Sequence, residues 1–167
     1  MLAIQIKGIK AFMAKLLNTE IFDVFLLEEA QIQTANTFII DGHLNRDFYT
    51  KEELEESNLV SYDLSPWKDM RSICFQLIKG KRVPLLLKLT FVYNPQDART
   101  LLEESGGKEF VPLLKSLVLN IKYDQKGLLL TTGTSFTTFL MDKTPDLIWD
   151  QAFRRFLNNA EIDFEEL

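Results

Sequence analysis

The chain has 167 residues, 46% of them hydrophobic, and a formal net charge of −5. This is enough chain to bury a core without disulfides or metals, and the negative charge argues against a general binder of polyanions. The single cysteine, Cys74, excludes an internal disulfide, and no apolar run approaches the roughly 20 residues that a membrane span needs. We expect a cytoplasmic protein that has no signal peptide and does not enter a membrane.

Hydrophobic periodicity predicts the elements of the first 60 residues. Alternation over residues 2–6 predicts a strand, and apolar residues three and four apart over 9–17 predict an amphipathic helix. A period of two then predicts a long strand over 22–32. A second strand is predicted over 37–40, and a short solvated helix over 51–57. Five apolar residues share one side of the long strand: Phe22, Val24, Leu26, Ala30 and Ile32.

Three prolines mark predicted helix starts. Each follows a residue whose side chain can cap a helix, and proline at the first helical position loses no hydrogen bond. The three pairs are Ser65-Pro66, Asn94-Pro95 and Thr144-Pro145. The helices that they start are predicted over residues 65–79, 94–105 and 144–159.

Alternating apolar residues predict four further strands, over residues 84–93, 117–123, 128–132 and 135–142. The last seven residues, 161–167, hold four acids and are predicted to be frayed.

This order of elements favours an α+β fold over a doubly wound sheet, because helices and strands do not strictly alternate. We expect two β-α-β-β(-β) units with antiparallel strands, within a single domain over residues 1–167. Its predicted parts are the first unit (1–45), a mostly helical insertion (46–83), the second unit (84–142), a C-terminal helix (143–160) and an acidic tail (161–167).

The local charge is inverted in the middle of the chain. Residues 66–88 carry six basic residues and one acid, whereas residues 50–63 carry five acids and one lysine. Such an inversion is typical of a surface for an anionic partner, and an aromatic ring beside lysines can stack on a base. The candidate binding residues are Lys68, Arg71, Phe75, Lys79, Lys81 and Arg82.

Two alternatives explain the same charges without a partner. The lysines can form the solvated flank of a helix, with their stems along its apolar surface. The acids between Glu52 and Glu56 can also fold over the bases, in which case the charges match internally.

A polar run after the second predicted strand holds the only histidine, His43. Together with Asp41, Arg46 and Asp47 it has the ingredients of acid–base chemistry, because a carboxylate can orient the imidazole. The alternative is a turn whose polar side chains satisfy nearby backbone groups.

Other motifs that carry chemistry are missing from the sequence. It has no phosphate-binding glycine loop, dinucleotide fingerprint, nucleophile elbow or paired-cysteine metal motif, so we expect no cofactor and no metal site. Cys74 lies on the apolar stripe of a predicted helix, which is typical of a buried thiol rather than a nucleophile.

Over most of its length the chain resembles a family of short bacterial proteins of unassigned function. The resemblance implies no activity. The stretches that carry it are FDVFLL (22–27), FIIDGH (38–43) and ICFQLIKGKR (73–82).

A second resemblance concerns architecture. Residues 117–121 and 128–135, joined by the turn at 124–127, are similar to the hairpin and third strand of sliding-clamp half-domains. This resemblance implies a repeated β-α-β-β-β unit that turns basic helices toward DNA. Residues 45–83 and the final helix have no counterpart in it. On the first predicted helix the matching basic residues are Lys7, Lys10 and Lys15.

These patterns favour binding over catalysis. We expect a non-catalytic interaction module whose basic surface contacts an anionic partner, either nucleic acid or an acidic protein. The alternatives are an enzyme that acts on a small substrate through His43, and a structural subunit held through an exposed part of the aromatic-rich last helix.

Overall fold

Antiparallel strands form a sheet that carries helices on one face and leaves much of the other to solvent. The structure, a computed structural model, describes the backbone of residues 1–167 and every side chain except that of Val60. The strands are β1 (Ala3–Ile6), β2 (Phe25–Gln33), β3 (Thr37–Asp41), β4 (Ser65–Pro66), β5 (Leu86–Tyr93), β6 (Leu114–Asp124), β7 (Gly127–Phe136) and β8 (Phe164–Glu166). The helices are α1 (Ile9–Asn18), α2 (Lys51–Glu56), α3 (Trp67–Ile78), α4 (Pro95–Glu104) and α5 (Thr144–Asn159). The predicted α+β fold is confirmed.

The strand order of the sheet is β3-β2-β5-β6-β7-β1-β8, and β4 pairs with the first part of β2. Each described pairing is antiparallel. The strands of the second predicted unit, β5, β6 and β7, are neighbours. They lie between β1 and β2, so the two units interleave within one sheet.

The core lies between the sheet and the helices. Alternate residues of β5 and β6 are buried there, whereas Lys88 and Lys122, which lie opposite each other on the other face, are exposed. This alternation is what an antiparallel sheet with one solvated face requires. Each of α1, α3 and α5 contributes large side chains to the same core, among them Phe12, Leu16, Trp67, Trp149 and Phe153.

The predicted strand over residues 22–32 is wrong in its start and in its phase. It begins at Phe25, and its register with β5 shifts between Leu27 and Glu29. Such a bulge inserts one extra residue, so the inward side changes from odd positions, such as Phe25, to even ones, such as Ala30. Strict alternation along the whole segment therefore assigned the wrong side to Leu26, whereas Phe22, which lies before the strand, is buried in the core as predicted.

Asn94-Pro95 is confirmed as a helix start. The side-chain oxygen of Asn94 accepts from the backbone N–H of Gln96 at 3.0 Å and from that of Asp97 at 3.4 Å. Pro95 is the first residue of α4.

The other two proline starts are wrong in detail. Ser65-Pro66 forms β4, and α3 begins one residue later at Trp67, because pairing with β2 holds this dipeptide extended. Thr144 does not cap α5. It is the first residue of that helix, and its N–H donates to a carboxylate oxygen of Asp142 at 2.8 Å.

The prediction of separate strands over 128–132 and 135–142 is also wrong. A single strand, β7, continues past Gly133 to Phe136, because β6 extends far enough to pair with it, with Val118 opposite Gly133. The chain from residue 137 to the start of α5 forms no regular element.

The acidic tail is not frayed. Its residues Phe164–Glu166 form β8, which pairs with β1. Glu165 forms an ion pair with Lys7, and Glu166 forms one with Arg154. Composition alone predicted fraying, because it cannot show that β8 pairs with β1, at the other end of the chain, or that Lys7 lies beside Glu165.

Gly42 is a position where the fold has no room for a side chain. A Cβ at this residue would lie 1.8 Å from the backbone oxygen of Leu27. We expect Gly42→Ala to lower the free energy of unfolding by about 3 kcal/mol or more, at the upper end of single-residue effects, as measured by urea denaturation. Gly133→Ala is the matched control, because its new Cβ would meet nothing closer than Val118 at 3.9 Å. Equal losses in the two variants would contradict this account.

Candidate functional site

A groove of about 670 Å³ lies between α1, the C-terminal end of α3 and the segment that leads into β5. Its volume falls within the roughly 300–1,000 Å³ of most ligand sites. The surface inside it is mostly apolar, and Tyr123, at the end of β6, also lines it. The apolar side chains that line it are Ile9, Met13, Ala14, Leu17, Phe75, Ile78, Val83 and Pro84.

Four cationic side chains surround this apolar surface. They are Lys10 from α1, and Lys79, Lys81 and Arg82 from the segment after α3. All four are exposed. Within the part of the chain that the structure describes, no carboxylate lines the groove and no ion pair involves any of the four. We call this site the basic groove.

The local sequence explains how the groove forms. In α1, Phe12 and Leu16 face the core, while Lys10 and Met13 line the groove. The helix α3 ends where the N–H of Lys79 donates to the carbonyl of Phe75 at 2.8 Å. Gly80 then has a φ of 151°, a conformation that suits glycine, and the chain turns away to present its basic residues.

Four of the six predicted binding residues lie together at the basic groove: Phe75, Lys79, Lys81 and Arg82. Lys10 was not among the predicted six. The sequence places Lys10 on the polar side of the first helix, but no local pattern indicates that α1 and the end of α3 lie side by side.

Arg71 has a different role. Its guanidinium donates to both carboxylate oxygens of Asp23, at 3.0 and 3.1 Å, and its side chain is 23% exposed. The hydrogen bond to Asp23 raises the pKa of Arg71. The residue therefore ties α3 to the segment before β2.

Lys68 is exposed near the start of α3 and does not line the groove. It lies seven residues before Phe75, which is about 10 Å along a helix.

The acids of α2 do not pair with the groove cations in the part of the chain that is described. The carboxylate of Glu53 instead accepts from the backbone N–H of Thr50, whose hydroxyl accepts from the N–H of Glu53. This reciprocal capping box stabilises the start of α2. The contacts of these acids give no support to the alternative in which they neutralise the basic segment.

Two of the three lysines that the clamp resemblance would turn toward DNA form contacts within the chain. Lys7 pairs with Glu165. The Nζ of Lys15 donates to the backbone oxygens of Ala160 and Glu161, at 2.6 and 2.9 Å, after the end of α5. The third, Lys10, lines the basic groove.

His43 meets one of the two requirements for acid–base chemistry. Its Nδ1 lies 2.6 Å from a carboxylate oxygen of Asp41, and its backbone N–H donates to the same oxygen. The second requirement is a concave pocket. The His43 side chain is 62% exposed and lines neither of the two described cavities.

The other two candidates from this polar run do not complete a catalytic group. Arg46 donates to the backbone oxygen of Tyr62 at 2.6 Å and pairs with Asp63. Asp47 lies in a short 3-10 helix, Arg46–Phe48, and is exposed. These contacts fit the turn interpretation, in which local polar groups satisfy one another.

Cys74 is fully buried in the core beneath α3. Burial raises the pKa of its thiol to about 12, which keeps it protonated at neutral pH and suits a packing role. Among the described residues, no group of three or more histidine, cysteine, aspartate or glutamate side chains is placed to hold a metal ion. No helix in the described chain is long and apolar enough to cross a membrane.

The Asp41–His43 contact predicts a measurable titration. The hydrogen bond to Asp41 raises the pKa of His43 above its ordinary value of 6.5. A raised pKa in the folded state means that the pair stabilises the fold at pH values below the unfolded pKa. That contribution is lost as pH rises through the folded pKa. We expect Asp41→Asn to lower the His43 pKa, measured by NMR of the single imidazole, and Asp47→Asn to leave it unchanged. A His43 pKa that does not respond to Asp41→Asn would contradict the contact.

The Arg71–Asp23 pair predicts a stability effect that Lys68 lacks. Removing a charged partner from a partly buried, bidentate pair typically costs about 1–3 kcal/mol. We expect Arg71→Ala to lower the free energy of unfolding by that amount, and Lys68→Ala to change it by less than about 0.5 kcal/mol. Denaturation with urea measures both, and a neutral Arg71→Ala would show that the pair is not structural.

Comparison with known protein families identifies the family of this chain. The model of a family of unknown function, DUF5721, matches residues 15–165, whereas no curated protein and no solved structure matches the chain. Since the matched segment includes every element from within α1 to within β8, the chain belongs to the family of unknown function DUF5721.

Proposed function

We propose that this protein is a non-catalytic binding module whose basic groove takes an acidic, amphipathic segment of a protein partner. One observation carries the proposal: four cations line a mostly apolar groove, and among the described residues no carboxylate lines it with them. Such a site attracts negative charge at its rim and buries apolar side chains at its centre.

The apolar part of the groove sets one requirement on the partner. Met13 and Ile78 line it but are not fully buried, and Val83 is 76% exposed. Covering apolar surface contributes about 25 cal/mol for each Å² removed from water. A ligand with charge but no apolar side would leave this contribution unused. An amphipathic helix that lays its apolar face into a groove meets the requirement.

The charges set the second requirement. Lys10 comes from α1, and Lys79, Lys81 and Arg82 come from the segment after α3. Carboxylates on a bound helix would therefore find cations contributed by both elements that line the groove. Complementary charge of this kind raises the association rate and selects against basic partners.

An acidic protein suits the groove better than nucleic acid does. Sites for single-stranded nucleic acid combine a basic track with aromatic rings on which bases stack. Here Phe75 and Tyr123 are outnumbered by aliphatic side chains, and Lys7 and Lys15 are engaged elsewhere. The chain as a whole carries a net charge of −5. Its repulsion at a distance grows with the negative charge of the ligand, so it disfavours a polyanion more than a short acidic segment.

The two other hypotheses have less support. The groove lining contains no histidine, cysteine or carboxylate among the described residues, and His43 lies outside it. A structural subunit held through α5 would need exposed aromatic residues on that helix. Its Trp149 and Phe153 are instead buried in the core, and Leu147 is its exposed apolar residue.

We also propose that residues 1–167 fold as one domain and act in the bacterial cytoplasm. Support for one domain comes from the main core cluster, which α1, α3 and α5 share with the sheet. Support for the location comes from Cys74, a free and buried thiol, since unpaired cysteines are typical of reducing compartments.

The test measures binding of labelled probes by fluorescence anisotropy. The probes are a helical peptide with leucines on one face and glutamates on both flanks, the same peptide with lysines for the glutamates, and single-stranded and duplex oligonucleotides. We expect the acidic peptide alone to bind, and to bind more weakly at higher salt because the contacts are ionic. The combined variant Lys79→Glu, Lys81→Glu, Arg82→Glu is expected to weaken it roughly tenfold or more, equivalent to about 1.4 kcal/mol.

A charge-matched variant provides the control. Lys88→Glu, Lys108→Glu, Arg155→Glu reverses two lysines and one arginine that are exposed outside the groove, and we expect it to bind the acidic peptide much as the parent protein does. Equal losses in the two variants would overturn the groove as the site. Tighter binding of an oligonucleotide than of the acidic peptide would overturn the choice of partner in favour of nucleic acid.

A further inference from the structure

The two edges of the sheet differ in how far they are protected. At one edge lies β3, whose described strand partner is β2, and at the other lies β8, which pairs with β1. An edge strand presents unpaired N–H and C=O groups, and these can accept a strand from another chain. Natural proteins usually block such edges with charges, prolines, bulges or very short strands.

The β8 edge is blocked in two of these ways. It is three residues long, Phe164–Glu166, and two of the three are glutamates. Both glutamates are held in ion pairs, Glu165 with Lys7 and Glu166 with Arg154. An added strand at this edge would meet fixed negative charge.

The β3 edge has none of these protections along Thr37–Ile40. Its sequence, TFIID, contains no lysine, no proline and no glycine, and its register with β2 runs without a bulge over all five residues. Its one charge is Asp41, at the end, where it is bound to His43. The side chain of Ile39, at the centre of the strand, is 66% exposed. Among the described backbone hydrogen bonds outside regular elements, none involves residues 37–41.

We propose that β3 pairs antiparallel with β3 of a second copy of this chain, about a twofold axis through Ile39, so that the two sheets become continuous. In this register Ile39 lies opposite Ile39 of the second copy. Phe38 lies opposite Ile40 of the second copy, and Thr37 lies opposite Asp41 of the second copy. Every contact is then made twice, as a twofold interface requires.

The sequence of β3 favours a second copy over an unrelated strand. Side chains opposite each other on neighbouring antiparallel strands interact directly, and like charges in that position destabilise a pair. Self-pairing about Ile39 brings apolar side chains together in the three central positions. It also puts the two Asp41 carboxylates at opposite ends of the ribbon, each beside a threonine.

The size of the contact limits its strength. A pair of five-residue strands buries less surface than the roughly 1,200–2,000 Å² of a stable complex. The dimer is therefore expected to form and dissociate with protein concentration in the micromolar range. The inference goes beyond the proposed function and does not rest on it, because the groove lining includes no residue of β3.

Sedimentation velocity over a series of micromolar concentrations tests the pairing. We expect the parent protein to shift toward a species of twice its 19.4 kDa chain mass as concentration rises. Ile39→Lys places two like charges opposite each other in the proposed register and is expected to keep the protein monomeric. Leu147→Lys is the matched control, since Leu147 is also 66% exposed but lies on α5, and it should dimerise like the parent.

A cross-link then tests the register. Ile39→Cys is expected to form a covalent dimer on mild oxidation, because cross-strand partners at a twofold axis have nearby Cβ atoms. Leu147→Cys is expected to stay monomeric, and the native Cys74 is buried. A parent protein that stays monomeric throughout the concentration series would overturn the proposal. So would an Ile39→Lys variant that dimerises as the parent does, or an Ile39→Cys variant that cross-links no faster than Leu147→Cys.

Discussion

The buried indole of Trp67 holds α3 against α1, and the basic groove lies beside this attachment. The Nε1–H of Trp67 donates to the backbone oxygen of Leu16 at 3.0 Å, and the ring has no exposed surface. Leu16 is in the last turn of α1, where carbonyls lack partners within the helix. The bond therefore satisfies a helix end and joins two helices at once. On the other side the ring packs against Phe91 of β5, with centroids 4.8 Å apart. Removing the indole would leave both a cavity and an unpaired carbonyl.

The position of Trp67 depends on the residues just before it. Ser65 and Pro66 pair with β2 as β4, and the N–H of Ser65 donates to the backbone oxygen of Gly42 at 2.8 Å. The helix α3 thus begins directly after a strand of the sheet. This pairing fixes the position of the first residue of α3, independently of the amphipathic pattern of the helix. A second attachment, from Arg71 to Asp23, lies one turn further along.

The basic residues of α3 and of its C-terminal extension have two different roles. Arg71 is held by Asp23, whereas Lys79, Lys81 and Arg82 have no described acidic partner and surround apolar side chains. A similar division exists in α1, where Lys15 binds carbonyls after α5 and Lys10 lines the groove. The basic segment is therefore not one surface. Part of it stabilises the fold, and the part that remains free of acids is concentrated where two helices leave a gap.

The sequence by itself determined which segments are amphipathic, because hydrophobic periodicity and capping are local. The extents of α1 and α5 and the cap of α4 at Asn94 followed from spacing and side-chain chemistry alone. The helix stop at Gly80 and the buried character of Cys74 could be predicted in the same way, as could four residues of the groove.

Only the tertiary structure decided how these segments are used. The bulge in β2, the strand at Ser65-Pro66 and the pairing of the acidic tail with β1 each depend on partners far away in the chain. Local sequence propensity carries no information about such distant partners. The same holds for charge: Arg71 and Lys79 look alike in the sequence, and only the position of Asp23 makes one of them structural. Lys10 joins the groove for the same reason, because a surface formed by two helices is defined by their packing and not by either sequence.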